Sequence, residues 1–149
     1  MIDPDAAPPA RLMRTPSWLI NVASAHSHRL VSDGFAAAGA RGYHYRLLAA
    51  LDEYGPASQA ALGRHTGIDR SDVVAALNEL TGTGYADRSP DPSDRRRNII
   101  TLTPAGSRHL ERLDQVLTGI QDRLLAPLSA TERAQLTDLL ARIAEHHTG

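Results

Sequence analysis

The sequence predicts a mainly α-helical fold with a small β-wing: a winged helix-turn-helix set between N- and C-terminal dimerisation helices. Three observations carry this. Residues 58–84 read as helix, glycine turn, helix; residues 85–103, "YADRSPDPSDRRRNIITLT", read as strand, loop, strand; and long segments with helical apolar spacing flank both.

Taken in order, four prolines in the first sixteen positions mark residues 1–14 as a flexible N-terminal arm. Thr15-Pro16 then supplies an N-cap and a first-turn proline. The helix that follows, to about residue 38, carries Leu19, Val22, Ala23, His26 and Leu30 on one stripe. Trp18, Ala25 and Phe35 lie on a neighbouring stripe, so burial is expected on more than one side. A second helix, from about 41 to 54, holds Leu47, Leu48 and Leu51 and stops at Gly55-Pro56.

Ser58 can cap a short helix to about His65, and Gly67 gives the tight turn. Asp69 with Asp72 resembles a capping pair for a helix from about 70 to 82. Gly63 is expected where the two helices cross, with Val73 and Ala76 facing inward. Alone, this stretch fits either a DNA-reading helix-turn-helix or a structural helical corner. The wing tips the balance. "PDPSD" is turn chemistry throughout, and the returning strand puts Ile100 and Leu102 on one face. Arg95, Arg96 and Arg97 therefore project at the loop's exit.

Thr103-Pro104 opens a long helix to about 126, on which Leu110, Leu113, Leu117, Ile120 and Leu124 step by alternating threes and fours. Ser129 and Glu132 form a capping box for a last helix to about 146, carrying Leu136, Leu139, Leu140 and Ile143. A helix of about 35 Å cannot hide a full apolar seam on a domain this small. Helices from both ends are expected to wrap around those of a second copy, giving a homodimer. The division expected is a single domain over residues 15–149, with dimerisation helices at 15–40 and 104–147 and a winged helix-turn-helix at 41–103.

Composition narrows the function. Cysteine is absent, which excludes disulfides, thiolate zinc sites and thiol redox sensing. All 16 basic residues are arginine, each a flat, permanently charged fork suited to phosphates and base edges. The net charge of −1 excludes bulk coating of nucleic acid, so any such role rests on where charges point. No stretch approaches the roughly 18–20 apolar residues that span a bilayer, and the N-terminus lacks the order of a secretory signal. A cytoplasmic protein is expected, without membrane contact.

From Thr15 onward the chain resembles the MarR family of bacterial transcription regulators. The most specific stretch is "GYADRSPDPSDRRRNIITLTPAG", in which Asp94 and Arg96 take the family's Asp-x-Arg positions. Arg88 matches the arginine ending the first wing strand, and Leu102, Thr103 and Gly106 match the pattern after the wing. The resemblance implies a homodimer on a pseudo-palindromic duplex with half-sites about 10–10.5 bp apart. It also implies repression by occluding a promoter.

A slender wing tip bearing a guanidinium suits the narrow minor groove, and Arg96 is the residue expected there. Arg95 and Arg97 are expected on flanking phosphates, with Asp94 orienting an arginine. In the major groove, Arg70 can pair with guanine and Ser71 can serve bases or phosphate. Asp72, Val74 and Ala75 stand where related proteins often carry Thr, Thr and Arg. Val74 or Ala75 can meet thymine methyls, and Asp72 can accept from cytosine N4 or only cap the helix. Ser58, Gln59 and Arg88 complete the candidate DNA-binding set.

The resemblance further implies a pocket for a small aromatic or phenolic anion between the dimer helices and the winged part, with release from DNA on binding. Arg14, Trp18, His26, Tyr43 and His44 are the candidates, although a tryptophan at Trp18's place more often anchors a dimer and a histidine on an apolar stripe, as at His26, more often makes a core hydrogen bond. Two alternative functions stand beside this one. A zinc-responsive regulator would have to gather His44 and His109 with a carboxylate, since His26 and His28 point some 200° apart. A winged-helix module for protein contacts would bind no DNA. No Gly-rich phosphate loop or nucleophile elbow points to an enzyme, and no cofactor is expected.

Overall fold

A computed structural model describes residues 6–149. Nine regular elements follow one another: α1 (Pro16–Ala37), α2 (His44–Tyr54), β1 (Ala57–Ser58), α3 (Gln59–Thr66), α4 (Arg70–Gly82), β2 (Ala86–Pro90), β3 (Asn98–Leu102), α5 (Pro104–Leu124) and α6 (Ala130–Thr148). The first five residues of the expected arm lie outside the described residues. Its last three, Leu12–Arg14, form a 3-10 turn, so helical structure begins before Thr15.

Apolar spacing assembles the core as chain-local chemistry dictates. Leu47, Leu48 and Leu51 of α2 meet Leu62 of α3, Val73, Leu77 and Leu80 of α4, Ile100 of β3 and Leu113 of α5, all essentially sealed from solvent. Gly67 ends α3 with a φ of 67°, a left-handed turn open to glycine without strain. Gly106 is required for a different reason. A Cβ there would overlap the Tyr85 carbonyl and come within 2.8 Å of Leu102 Cδ1, so only glycine lets α5 start against β2.

The wing is a three-stranded antiparallel sheet in the order β1-β3-β2, not the two-stranded ribbon the sequence suggests. β1 has two residues, pairing Ala57 with Ile100 and Ser58 with Ile99, too few to leave a periodic signal. β2 pairs with β3 from Ala86↔Leu102 to Pro90↔Asn98, which buries Ala86 and Ile100 and leaves the distal wing exposed.

Three local expectations need correction. Thr15 occupies the N-cap position of α1 ahead of Pro16, but its side chain makes no cap bond; its hydroxyl donates to the Arg11 carbonyl at 2.7 Å. Asp69 makes no side-chain cap on α4, and Asp72 contributes only a negative charge in the helix's first turn. Gly63 does lie where α3 meets α4, and a Cβ there would already be in contact, 3.6 Å from the Ile68 carbonyl and 3.9 Å from Val73 Cγ2. Helix α2 starts at His44, three residues later than its apolar pattern suggests. The Ser58, Thr103 and Ser129 caps do form, accepting from Ala61, Gly106 and Glu132 backbone N–H groups, the last as a full capping box.

Helices α1, α5 and α6 extend from this unit. α1 crosses α5 at Gly34, where a Cβ would stand 2.6 Å from Ile120 Cδ1. α5 buries Leu110, Leu113 and Ile120 of its seam, while Leu117 and Leu124 are half-buried. Arg133 fixes the α5–α6 corner: its Nε donates to the carbonyls of Leu125 and Leu128, and its NH1 lies 2.9 Å from Asp122 Oδ1. Beyond that corner α6 buries none of its residues.

Candidate nucleic-acid interface

The wing loop is organised by two carboxylates. Asp91 is the buried one, 8% exposed, and its Oδ1 accepts from the Ser93 backbone N–H at 2.9 Å and the Ser93 hydroxyl at 2.8 Å. These two bonds, with Arg97 nearby, hold its carboxyl below the usual range. The Asp91 N–H donates to the Arg97 carbonyl at 2.8 Å and closes the loop. Asp94 Oδ1 accepts from the Arg96 backbone N–H at 3.1 Å and from Arg96 Nε at 3.2 Å.

The three arginines therefore differ. Arg97 NH2 lies 3.3 Å from Asp91 Oδ2 and its Nε 3.8 Å from Asp94 Oδ2. Among the described residues the Arg96 side chain is engaged only through Nε; it is 91% exposed and its two terminal nitrogens make no bond there. Arg95 is exposed and makes no side-chain hydrogen bond or ion pair among the described residues. In the sequence Asp91 is one turn-former among several. A carboxylate between two prolines gives no sign that it will be buried.

Beside the loop lies a groove of about 640 Å³ lined by Ser58, Gln59, Arg64, Arg70, Arg96, Arg97 and Asn98, among others. It brings the start of α3, the start of α4 and the wing onto one concave side. Arg64 on this face was not anticipated. Between residues 58 and 103 six arginines balance six acidic groups, yet four of those arginines line this one groove. Charge is sorted by direction, with no net excess.

On α4, Ser71 and Ala75 are exposed and Val74 half-buried. Asp72 and Ala75 face away from the wing-side groove. They line a second groove of about 510 Å³ with His28 and Val31 of α1 and with Arg41, Tyr43, His44, Arg46 and Glu79. Asn78, one turn beyond Val74 and also exposed, accepts from Arg88 NH2 at 3.0 Å. Arg88 thus ties the first wing strand to α4 with one arm of its guanidinium.

Within one chain the candidate ligand residues do not all meet. Tyr43 and His44 line the second groove, whereas Arg14, Trp18 and His26 do not. At about 1.5 Å per residue, Trp18 is roughly 15 Å along α1 from His28. Within one chain His26 is exposed, and its Nδ1 lies 3.1 Å from Arg29 NH2. Within the groove, the Arg41 N–H donates to His44 Nδ1 at 3.3 Å, so Nε2 carries the proton and donates to Glu79 Oε2 at 2.8 Å. Arg41 NH1 reaches the other Glu79 oxygen at 3.2 Å. No three His, Asp or Glu side chains are gathered for a metal among the described residues, His44 and His109 included. No helix described is long and apolar enough to cross a membrane.

A helix-turn-helix, a wing tipped with free guanidinium groups and an arginine-lined concavity between them define a winged-helix transcription regulator. Comparison with known proteins agrees. Residues 39–97 match the model of the MarR family. The chain is 32% identical over 98 residues to the HTH-type transcriptional repressor NicR of Pseudomonas putida, a match spanning 66% of this chain and 62% of NicR. It is 30% identical to the PcaV transcriptional regulator of Streptomyces coelicolor, solved with its natural ligand, with a TM-score of 0.74 over 94% of this chain and 97% of that one. Rhodococcus jostii CouR, solved with p-coumaroyl-CoA, is 25% identical with a TM-score of 0.72, covering 89% and 94% of the two chains. The chain belongs to the MarR family of transcriptional regulators, which are not enzymes.

Proposed function

We propose that the protein is a cytoplasmic, homodimeric repressor that binds a pseudo-palindromic operator and is released by a small aromatic anion. The carrying observation is that the start of α4, the start of α3 and the wing arginine Arg96, whose side chain is 91% exposed, share one side of the molecule. The exposed start of α4, with Arg70, Ser71 and Val74, reads the major groove, while Arg96 enters the minor groove and Arg95 meets an adjacent phosphate. Ser58 and Gln59 at the start of α3 serve the backbone.

Dimerisation follows from apolar surface. Leu19, Ile20 and Val22 of α1 and Leu139, Leu140 and Ile143 of α6 are each 37–51% exposed within one chain. Residues 15–40 and 104–147 thus act as dimerisation helices around the winged unit at 41–103. Two wings related by a two-fold axis demand half-sites about 10–10.5 bp apart.

For the effector, the groove at Tyr43 and His44 offers an aromatic wall, a ring nitrogen and two arginines, Arg41 and Arg46. An anion there competes with Glu79 for Arg41 and His44, and Glu79 belongs to the reading helix. PcaV and CouR, both solved with small molecules, support a ligand-responsive reading. The test is selection of bound duplexes from a random pool, followed by a screen of aromatic acids for release. An enriched palindrome whose binding weakens with salt supports the reading; binding without sequence preference overturns it.

A further inference from the structure

We propose that Asp91 is a positioning residue of the wing: its carboxylate clasps Arg97 against the loop and leaves Arg96 and Arg95 as the cations presented at the tip. The inference rests on the DNA-binding reading above and assigns Arg97 a role other than phosphate contact. Three facts carry it. Asp91 is buried where a turn aspartate is ordinarily solvated, and its two oxygens divide the work, Oδ1 on Ser93 and Oδ2 on Arg97 NH2 at 3.3 Å. The same pair is joined through the backbone, Asp91 N–H to Arg97 carbonyl at 2.8 Å, so side chain and main chain close one ring. Asp94 takes up Arg97 Nε from the opposite side at 3.8 Å while holding the backbone N–H and Nε of Arg96.

The physical consequence is a division of charge. Two carboxylates against three guanidinium groups leave the tip with a net single positive charge, and the least engaged cations are Arg95 and Arg96. A tip with three loose arginines would bind any duplex through phosphates. A clasped tip keeps non-specific attraction low and holds Arg96 at a fixed reach, favouring a groove of particular width.

The experiment compares wild type, Asp91→Ala, Asp91→Asn and Arg97→Gln on a selected operator and on a scrambled duplex across a salt series. Asp91→Ala frees Arg97, so scrambled-duplex affinity should rise several-fold and the slope of log K against log salt steepen by roughly 2 per dimer. The operator-to-scrambled ratio should fall about tenfold or more. Asp91→Asn keeps an oxygen for Ser93 but loses the charge on Arg97, and should fall between. Arg97→Gln should lower operator affinity with the salt slope unchanged. Limited trypsin digestion reads the clasp without DNA: cleavage after Arg97 should quicken about tenfold in Asp91→Ala and stay slow in wild type. An Asp91→Ala protein with wild-type ratio, slope and trypsin rate overturns the proposal, as does an Arg97→Gln slope shallower by about 2. Wild-type protein that binds no duplex would instead overturn the DNA reading, and the trypsin rates would still decide the clasp.

Discussion

Replacing Ile143 with aspartate tests the dimer on which the two-winged geometry depends. Ile143 is 48% exposed on a helix that buries none of its residues within one chain. Full burial of such a side chain contributes about 1.5–3 kcal/mol, so covering its open half contributes about 1 kcal/mol per copy. A carboxylate in the same place must be stripped of water, which costs several kcal/mol without a partner. Over two copies the loss is at least about 4 kcal/mol, or roughly a thousandfold in dimer dissociation constant. Sedimentation at micromolar concentration should show wild type at twice the 16.1 kDa chain mass and the variant shifted toward a single chain. Far-UV circular dichroism should stay largely helical, because the α2–α4 core is untouched. A variant that sediments with wild type, or a wild type found as a single chain, would refute the reasoning.

Other outcomes follow from single contacts. Gly106→Ala drives a methyl into the Tyr85 carbonyl and should lower stability by about 2–3 kcal/mol in a thermal melt; an unchanged midpoint would show that the β2–α5 junction gives way freely. His109 is buried, stacked on Tyr85 at 4.1 Å, and accepts from Arg112 on Nδ1, which leaves its Nε2 without a partner among the described residues. Burial, Arg112 and His44 hold its pKa below the ordinary value, so the unfolded chain protonates first and stability falls as pH drops from about 6.5. His109→Phe keeps the stack, removes the orphan nitrogen and should flatten that acid slope while raising stability by up to about 1 kcal/mol in urea melts. Parallel slopes for the two proteins would contradict this. Glu79→Gln removes the carboxylate that occupies Arg41 and His44. Calorimetric titration with hydroxybenzoates should show several-fold tighter binding, and weaker binding would place the anion elsewhere.

Much of the fold was legible because its signals are local. Helical spacing on α5, the Ser129–Glu132 capping box and the Gly67 turn each need only neighbours in sequence. What failed was three-dimensional. β1 has two residues and exists only because β3 offers an edge. Asp69 and Thr15 have capping chemistry but are not used for it. In the candidate interface, the arginine triplet was visible as a run, while the difference between its members comes from Asp91 and Asp94 folding back on them. Asn78, which holds Arg88, lies ten residues away on another element. The second groove joins residues from 28 to 79 on three helices, so no spacing rule could collect His28, Arg41 and Glu79. Trp18 and His26 on α1, and Arg14 just before it, share chemistry with Tyr43 and His44, but within one chain they do not line that groove.

The central claim is that Arg96 works inside the minor groove. Hydroxyl-radical footprinting of a selected operator, with wild type and Arg96→Ala, tests it directly. Wild type should protect two minor-groove patches flanking the half-sites, and Arg96→Ala should lose both patches while remaining a folded dimer. Identical footprints from the two proteins would contradict the account.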